Sequence, residues 1–464
     1  MAGKSYPQAV GPTYSMTDYE AGIQDAINCY PKKLDGDRWM MASTPGEVQI
    51  AALGAECRGS RNAEGRWFIV AGLSLYEMAA DGTSTLRGAL VGVASGFVGM
   101  AHNRTQLVMV DGPRLYVLAL DTNVFTTVAS ADFLGSNDVQ ELDGYMVFVD
   151  PNTEQFYLSA IDDAATIDVS DLSSADASPD NILAHKVWHR QLLLMGTRTG
   201  EIWINSGALP PDFPFVRYQS YTLDVGVVGA RACINAADTI FFIGRTDRGT
   251  GIVYMISGNQ PQRVSTVPIE QMLAGSTDLS LATMWTYQIE GHEFIGINAP
   301  GLRSTLVYDA AHQMWHERGE WVNGAWAPLR ARMHTFYDGE HYAMDEFGVV
   351  VRLDDSVNTL NGRVLKRQRT WPHMQDGSME PICFRSIEVD VKTGAPTLAS
   401  IVLQVSSDAG AMFGPPLARS LGAEGRRSQR VRWIGLGTTP QRVNRLWMTD
   451  DAPFALYRAT VDAS

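Results

Sequence analysis

The sequence is short of several features that mark common classes of protein. It has no apolar run near the ~20 residues that a membrane-spanning helix needs, and its first residues, MAGKSYPQAVGPTYS, lack the apolar core of a signal peptide. We therefore expect no membrane insertion, and synthesis in the cytoplasm. Only 4 cysteines occur among 464 residues, widely separated and without a CxxC pair. This usage disfavours a disulfide framework.

Motifs for catalysis, cofactors and metals are also missing. The chain has no GxxxxGK[ST] phosphate loop, no GxSxG nucleophile elbow and no HExxH zinc helix. Two HxxxH spacings occur, and they pair His185 with His189 and His312 with His316. Both pairs are predicted to lie in strand or turn, and residues four apart in a strand lie about 13 Å apart, which is too far to share an ion. We predict no catalytic residue, no cofactor, no metal site and no enzymatic activity.

One hairpin is repeated along most of the chain. A run of aromatic and β-branched residues, a turn and a second run recur seven times, and the first complete copy is GRWFIVAGLSLYEM at residues 65–78. The first arms begin at Arg66, Gln106, Tyr145, Gln191, Thr239, Glu293 and His341. The second arms carry Tyr76, Tyr116, Tyr157, Trp203, Tyr254 and Tyr308, with Val351 in the last copy.

The period of this repeat predicts a β-propeller. Strand-only repeats of roughly 40–50 residues are typical of propeller blades with about four strands each. A twisted sheet cannot bury both of its faces alone, so such units stack into a ring. We predict about seven blades over residues 53–362, with six or eight as alternatives, and expect the hairpin aromatics to pack between blades. A chain of sandwich domains would not repeat one hairpin so regularly.

Two further segments flank the repeats. Residues 1–52 are rich in turn residues and are predicted to form an extended arm, whose VQIAAL segment could add a strand to an end blade. After residue 362 the repeat stops, and several segments alternate apolar and polar residues at period two. Residues 363–464 are therefore predicted to form a β-sandwich-like domain. The predicted fold class is all-β, a propeller followed by this smaller domain.

Charge is divided unevenly along the chain. The net charge is −14, yet residues 363–464 carry 14 Lys or Arg against 9 Asp or Glu. The preceding residues carry 23 basic against 42 acidic side chains, a balance of −19. An acidic body disfavours a sequence-independent grip on the backbone of DNA, because that grip depends on Lys and Arg.

The densest basic cluster is GRRSQRVRW, which contains Arg426, Arg427, Arg430 and Arg432. In a strand from about Ser428, Arg430 and Arg432 share one face. Val431 and Trp433 then face the core. We predict these four arginines as a candidate interface for an acidic surface on a partner or a neighbouring subunit, since arginine pairs bidentately with carboxylates. A solvated surface without a partner is the alternative.

One short segment resembles a motif of another propeller class. SSDAGAMF, residues 406–413, is similar to the Asp-box of sialidase-type propellers. A sialidase would carry several copies within its blades, so we interpret this single copy as a β-turn with Asp408 and Gly410 in turn roles. A glycan-binding or glycan-cleaving propeller remains an alternative.

Three groups of residues together resemble one protein family. They are the NxYP…TPG opening (Asn28, Tyr30, Pro31, Thr44, Pro45, Gly46), the segment GFVGMAHNRTQLVMVDG, and the ending VSSDAG…RVRWIGLG…RLWMTDDAPFALYRATV. In their order along the whole chain they are similar to the packaged-DNA stabilisation proteins, or tail-hub (nozzle) proteins, of short-tailed bacteriophages.

The resemblance implies a structural virion protein of the phage tail, made in the cytoplasm of the bacterial host. Members of this family form a hexameric ring below the portal and its adaptor, continue the DNA channel, retain the packaged genome and carry a needle or plug and tailspikes. The implied partners are copies of the same chain, the portal–adaptor ring and these tail or receptor-binding parts, with DNA passing through but not tightly bound. A cellular scaffold propeller that recruits peptides is a further alternative, which neighbouring genes for portal, adaptor or tailspike would exclude.

Overall fold

The computed structural model describes residues 4–6, 9–16, 18, 22–176, 178–208, 212–246, 249–375, 380–395, 398–427 and 429–464. Within these residues nearly all regular structure is β-strand. Seven small sheets follow one another around a ring, and two further layers of strands enclose a separate core. The predicted all-β fold, a propeller followed by a sandwich, is confirmed.

Blades 1 to 4 are antiparallel sheets of four consecutive strands each. The second and third strands of every blade are the two arms of the repeated hairpin. In blade 1, for example, Ile69 of the first arm pairs with Tyr76 of the second. The strands are Cys57–Ala63, Arg66–Ala71, Ser74–Met78 and Ser84–Ala89; Gly99–His102, Gln106–Asp111, Arg114–Ala119 and Phe125–Val128; Val139–Leu142, Tyr145–Val149, Gln155–Ala160 and Asp163–Ser174; Ile182–Trp188, Gln191–Gly196, Gly200–Asn205 and Phe215–Leu223.

Blades 5 to 7 keep the same hairpin with variations at the edges. In blade 5 two short strands, Gly226–Val227 and Cys233–Ala236, both pair with the first arm. The remaining strands are Thr239–Thr246, Gly249–Ser257 and Gln260–Arg263 in blade 5; Thr283–Ile289, His292–Asn298, Thr305–Asp309 and Met314–Arg318 in blade 6; Ala331–Tyr337, Glu340–Asp345 and Val349–Asp354 in blade 7. Five first arms begin at the predicted residue, and those of blades 6 and 7 begin one residue earlier.

The ring is closed by a strand from the N-terminal segment. Gly46–Ala52 pairs antiparallel with Val349–Asp354 and so supplies the fourth strand of blade 7. The first strand of each blade lies against the first strand of the next, and Ala331–Tyr337 of blade 7 lies against Cys57–Ala63 of blade 1. The edge strand expected from VQIAAL is therefore present, and a blade made from both ends of the repeat region closes the ring.

The cores of the propeller lie between neighbouring blades. Phe68 of blade 1 and Tyr116 of blade 2 belong to one buried apolar cluster, and Val108 of blade 2 and Tyr157 of blade 3 belong to the next. Trp203 continues this arrangement between blades 3 and 4. Large rings bury much apolar area, so the hairpin aromatics that are buried stabilise the stacking of blades, as the sequence predicts.

Two layers of strands form the sandwich, and the N-terminal segment contributes to both. One layer has the order Cys29–Lys33, Trp39–Ser43, Ala455–Ala463, Ile382–Val391 and Val431–Ile434, with Lys4–Tyr6 and Thr438–Thr439 at its sides. The other contains Ala26–Ile27, Arg367–Thr370, Gln441–Met448, Ser400–Ser406 and Leu417–Ser420, with Met374–Gln375 beside it. Ile387, Leu403, Trp433 and Leu456 are buried in the core between them.

One continuous sheet joins the sandwich to the propeller. Ala26–Ile27 pairs in parallel with Met314–Arg318 of blade 6 and antiparallel with Arg367–Thr370 of the sandwich. The result is a sheet of 10 strands that begins in blade 6 and ends in the sandwich. The described parts of residues 1–52 are thus strands of both units rather than only an arm along the ring. The division into 53–362 and 363–464 stays a prediction.

The connections that lie outside the repeat contain the remaining elements. The helix Val267–Ala274 and the 3₁₀ turn Leu279–Leu281 link blade 5 to blade 6, although the strand-only repeat predicts no helix there. The hairpin Glu320–Val322 with Ala325–Ala327 precedes blade 7, and the short strands Thr359–Leu360 and Arg363–Val364 extend its outer edge. No helix among the described residues is long and apolar enough to cross a membrane.

Candidate functional site

The predicted arginine cluster lies at an edge of the sandwich. Within the described strands, Val431–Ile434 pairs only with Ile382–Val391, so it forms the edge of its layer. Val431 and Trp433 are buried, as the alternation predicts, and the indole N–H of Trp433 donates to the carbonyl of Leu417 at 2.7 Å. Ser428, near which we expected the strand to begin, lies outside the described residues.

Arg430, just before this strand, and Arg432, within it, are held within their own sheet. Arg430 forms an ion pair with Glu388 at 2.6 Å, and hydrogen bonding to Arg430 lowers the pKa of the Glu388 carboxyl. Nη2 of Arg432 donates to the hydroxyl of Ser386 at 2.7 Å. Both contacts join the edge strand to its neighbour, so these two side chains already stabilise the sheet.

The other two arginines are differently placed. Arg426 and Arg427 lie in an exposed turn, whose backbone packs against Gly394. Among the described residues no carboxylate lies within ion-pair distance of either side chain. The structure therefore divides the predicted group of four into a paired half and an unpaired half. Of the four, Arg430 is neutralised by Glu388 and Arg432 is held by a neutral hydroxyl, whereas Arg426 and Arg427 are free to pair with a partner's carboxylates.

A largely buried polar network, which no sequence pattern indicates, lies where the propeller meets the sandwich. Arg303 of blade 6 forms ion pairs at 3.0 Å with both Asp25 and Glu317. Thr13 and Ser304 donate hydrogen bonds to Glu317 at 2.8 and 2.5 Å. We call the set Thr13, Ser15, Asp25, Arg303, Ser304, Glu317, Gln368, Thr370 and Arg445 the junction network.

The buried carboxylates of the junction network receive hydrogen bonds or ion pairs from each of the segments that meet there. Ser15, Gln368 and Thr370 each donate a hydrogen bond to Asp25, and Arg445 of the sandwich lies 3.8 Å from the same carboxylate. Burial alone would raise the pKa of Asp25, but the charges of Arg303 and Arg445 outweigh it and hold that pKa below its ordinary value. The network thus holds the N-terminal segment, blade 6 and the sandwich together.

A groove of about 590 Å³ adjoins the junction and contains three tryptophans, Trp321, Trp326 and Trp447. The ammonium nitrogen of Lys366 lies 3.3 Å from the ring centre of Trp321, and 5.3 and 5.1 Å from those of Trp326 and Trp447. Burial lowers the pKa of Lys366 to about 8. A sugar-binding propeller would use such rings as a platform at its mouth, but here a cation of the chain itself occupies them at the junction.

The Asp-box-like segment adopts the turn that we predicted. The hydroxyl of Ser406 donates to Asp408 Oδ1 at 2.5 Å, and the same carboxylate oxygen accepts the backbone N–H of Met412 at 3.0 Å. Gly410 has a φ of +94°, a left-handed conformation that favours glycine. The segment therefore closes the strand Ser400–Ser406 as a local turn of the sandwich.

The histidines of the two HxxxH spacings have different partners. His185 is buried and hydrogen-bonds the carbonyl of Val147 at 3.2 Å, whereas His189 is exposed and contacts Asp238 at 2.8 Å. His316 is buried beside the ring of Tyr30. His312 lies in the turn after Asp309 and contacts that carboxylate. His312 thus lies beside Asp309, rather than forming a pair with His316 as the HxxxH spacing suggests.

Comparison with family models decides the relationship of the chain. Residues 11–357 match the model described as bacteriophage P22 Gp10, beta-propeller, and residues 366–464 match the model described as bacteriophage P22 Gp10, beta-sandwich. The chain belongs to the bacteriophage P22 Gp10 family. This is the family of packaged-DNA stabilisation or tail-hub proteins, so the predicted resemblance is confirmed.

Two solved structures that are similar to this chain have low TM-scores. The N-terminal domain of Nup159 has a TM-score of 0.42 at 9% identity, over 71% of this chain and 99% of that one. BamB from Moraxella catarrhalis has a TM-score of 0.38 at 12% identity, over 76% and 96%. These scores carry no conclusion about function. No curated protein sequence matches the chain.

Membership of the P22 Gp10 family makes the chain a structural protein of the phage tail, part of the virion. Such a protein assembles with other virion components. Arg426 and Arg427 of the predicted cluster are exposed at the edge of the sandwich. The junction network, in contrast, is internal and keeps the two units in one arrangement.

Proposed function

We propose that the chain forms a closed ring, a hexamer, below the portal–adaptor complex, where it continues the DNA channel and retains the packaged genome. The observation that carries this proposal is the match of family models to both units of the chain. Cyclic closure requires a heterologous interface, in which each subunit uses different patches on its two sides. A chain with an acidic propeller and a basic sandwich has such different patches.

The charge distribution supports a channel through which DNA moves freely. Residues 1–362 have 23 basic against 42 acidic side chains, and a sequence-independent grip on DNA requires a surplus of Lys and Arg. A ring whose propellers face the channel would repel the DNA backbone and let it slide. Tight binding of duplex DNA by the isolated protein at physiological salt, with a steep salt dependence, would contradict this part of the proposal.

The rigid connection between propeller and sandwich supports a mechanical role. A sheet that runs from blade 6 into the sandwich and a buried ionic network fix the two units relative to each other. A tail hub that holds the adaptor above and a needle or plug and tailspikes below has to transmit force between these attachments. We propose no catalytic step for the chain.

The arginine edge is the proposed contact with an acidic surface of the portal–adaptor complex or of the next subunit. Arg426 and Arg427 carry this part of the proposal because both are exposed and neither has an ion-pair partner among the described residues. Their planar guanidinium groups suit bidentate pairing with carboxylates. Arg430 and Arg432 would contribute less, since pairing with Glu388 and Ser386 occupies them.

Phage heads assembled without this protein test its role in retaining DNA. We expect heads without it to package DNA and then release it, because the portal channel stays open. Purified heads are treated with nuclease, and the DNA that survives is measured over time as a measure of release. Heads supplied with the purified protein serve as the control. Heads that protect their DNA equally well with and without the chain would show that it is not the retaining component.

A further inference from the structure

Three side chains converge at one end of blade 6. His292 begins the second strand of the blade, Asp309 ends the third, and His312 lies in the turn that follows. Nδ1 of His292 lies 2.8 Å from Asp309 Oδ2. Nδ1 of His312 lies 3.3 Å from that same oxygen and 3.3 Å from Nδ1 of His292. The three polar atoms thus form a small triangle.

The triangle has the composition and nearly the size of a zinc site. Two imidazole nitrogens and a carboxylate oxygen are common zinc ligands, with bonds of about 2.0–2.2 Å. In a tetrahedron with such bonds, ligand atoms lie about 3.3–3.5 Å apart. Two edges of the triangle already have this length. The edge between His292 and Asp309 has to lengthen by roughly half an ångström.

The surrounding structure holds the three groups in this orientation. His292 and Asp309 are 5% and 1% exposed, and their strands are adjacent in one sheet. The second oxygen of Asp309, Oδ1, accepts the backbone N–H of Ala311 at 3.0 Å. This hydrogen bond directs Oδ2 toward the histidines, as outer contacts of a metal-binding carboxylate do. His312 is only partly buried, which leaves a path for an ion and a water molecule.

We propose that His292, Asp309 and His312 bind one zinc ion, with water as the fourth ligand. The rings of Tyr30 and His292 pack in a T-shaped arrangement with centroids 5.3 Å apart, and those of Trp39 and His312 do so at 5.0 Å. Tyr30 and Trp39 belong to the N-terminal strand pair that joins the sandwich. The ion therefore stabilises the packing of this strand pair on blade 6, a structural role that does not depend on the proposed tail function.

Without a metal, the same atoms form a purely hydrogen-bonded cluster. In that cluster, an Nδ1 atom that carries a proton donates it to one oxygen of Asp309. The hydrogen-bonded cluster predicts no bound zinc and no change in stability on adding zinc, whereas the zinc site predicts both bound zinc and such a change. A measurement of bound zinc and of stability therefore distinguishes the two.

The experiment uses the full-length protein after removal of metal with EDTA. Zinc chloride is added, excess ion is dialysed away, and bound zinc is measured by mass spectrometry of the metal together with the thermal midpoint of unfolding. We expect one zinc per chain and a higher midpoint with zinc. His312→Ala should weaken zinc binding by about a hundredfold or more and remove the rise in midpoint.

His189→Ala is the matched control. His189 also contacts an aspartate at 2.8 Å, but this pair belongs to no three-ligand group among the described residues. It should bind zinc like the parent. A parent protein that retains no zinc, or a His312→Ala variant that retains as much as the parent, would overturn the proposal. If His312→Ala does not fold, two other measurements test the site. Asp309→Asn should also lose zinc binding, and the visible absorption of the cobalt-loaded parent should show four-coordinate ligation by nitrogen and oxygen. Failure of both would likewise overturn the proposal.

Discussion

Nη2 of Arg303 lies 3.0 Å from Oδ1 of Asp25, across the boundary between blade 6 and the N-terminal segment. The Asp25 side chain is almost fully buried, while about half of the Arg303 side chain remains exposed. The charge of Glu317 raises the pKa of Arg303, so this guanidinium stays charged. A single arginine thus forms ion pairs with two buried carboxylates. Removal of either carboxylate changes the net charge of the junction network.

Asp25→Asn should lower the free energy of unfolding by about 2 kcal/mol. Breaking a buried ion pair costs about 3–5 kcal/mol, and the exposure of Arg303 reduces this amount through solvent screening. Urea unfolding followed by tryptophan fluorescence measures the loss. Asp390→Asn, which removes the exposed pair with Arg458, should change stability by less than about 1 kcal/mol. Equal losses of stability in the two variants would mean that the buried ion pair of Asp25 stabilises the fold no more than an exposed one.

Gly46→Ala should destabilise the closure of the propeller. A Cβ atom at Gly46 would lie 2.4 Å from the carbonyl oxygen of Val357 and 2.7 Å from that of Thr359, and both atoms belong to the backbone. Displacing them costs about 1–3 kcal/mol. Thermal unfolding should show a lower midpoint for this variant. Gly249→Ala, whose added Cβ has no atom of a described residue within 4 Å, should match the parent. An unchanged midpoint for Gly46→Ala would contradict the close packing at the closing strand.

Stability should fall as the pH drops from about 6.5 toward 4, in part because of His185. Burial, together with the charge of Lys186, lowers the pKa of His185 to about 4 against the opposing effect of Asp138. Between these pH values the unfolded chain binds a proton at this residue and the folded chain does not, so protonation favours unfolding. At pH 5 this residue alone should cost about 2 kcal/mol.

His185→Gln should remove that share of the acid sensitivity and retain a hydrogen-bond donor for the carbonyl of Val147. The measurement is urea unfolding of parent and variant at pH 7 and pH 5. We expect the variant to lose less stability than the parent between the two values. Equal losses would show that His185 is protonated normally in the folded protein.

Reversal of the two unpaired arginines, Arg426→Glu with Arg427→Glu, should leave the subunit folded and weaken its assembly by about tenfold. The fold is preserved because both side chains are exposed, and assembly weakens because charge complementarity at an interface is lost. The control carries Arg104→Glu with Arg190→Glu, which changes the net charge equally on exposed positions of the propeller. Sedimentation with the portal–adaptor complex at low and high salt compares the three proteins. If both double variants assemble like the parent, the arginine edge is only solvated surface.

Local sequence patterns were sufficient to predict the propeller because each hairpin carries its own signal. Apolar arms around a turn form antiparallel pairs without help from distant residues, and Tyr145, for example, begins its strand as predicted. The helix Val267–Ala274 was missed because it lies in the longest spacing between repeats, where the period carries no information. Pro268 near its start, and Ile269 and Leu273 four residues apart, are the helical signals that were present.

The junction and the histidine cluster depend on contacts between residues far apart in sequence. Thr13 and Glu317 are 304 positions apart, and no periodicity or short motif links them. Asp309 and His292 come together because their two strands pair, and the turn after Asp309 adds His312. The HxxxH spacing relates only residues that are close along the chain. In the same way, the alternation around Val431 identified the outward face, but it could not reveal that Glu388 occupies Arg430.

The most direct test of the proposed ring is the stoichiometry of the chain on its neighbour complex. Purified protein is mixed with the portal–adaptor complex of the same phage, and the product is examined by native mass spectrometry and electron cryomicroscopy. We expect a closed cyclic ring of six copies around the axis of the portal, with the sandwich or the propeller of one subunit against a different patch of the next. A chain that remains monomeric in the presence of a well-folded portal–adaptor complex, or that binds it without forming a ring, would contradict the proposed function.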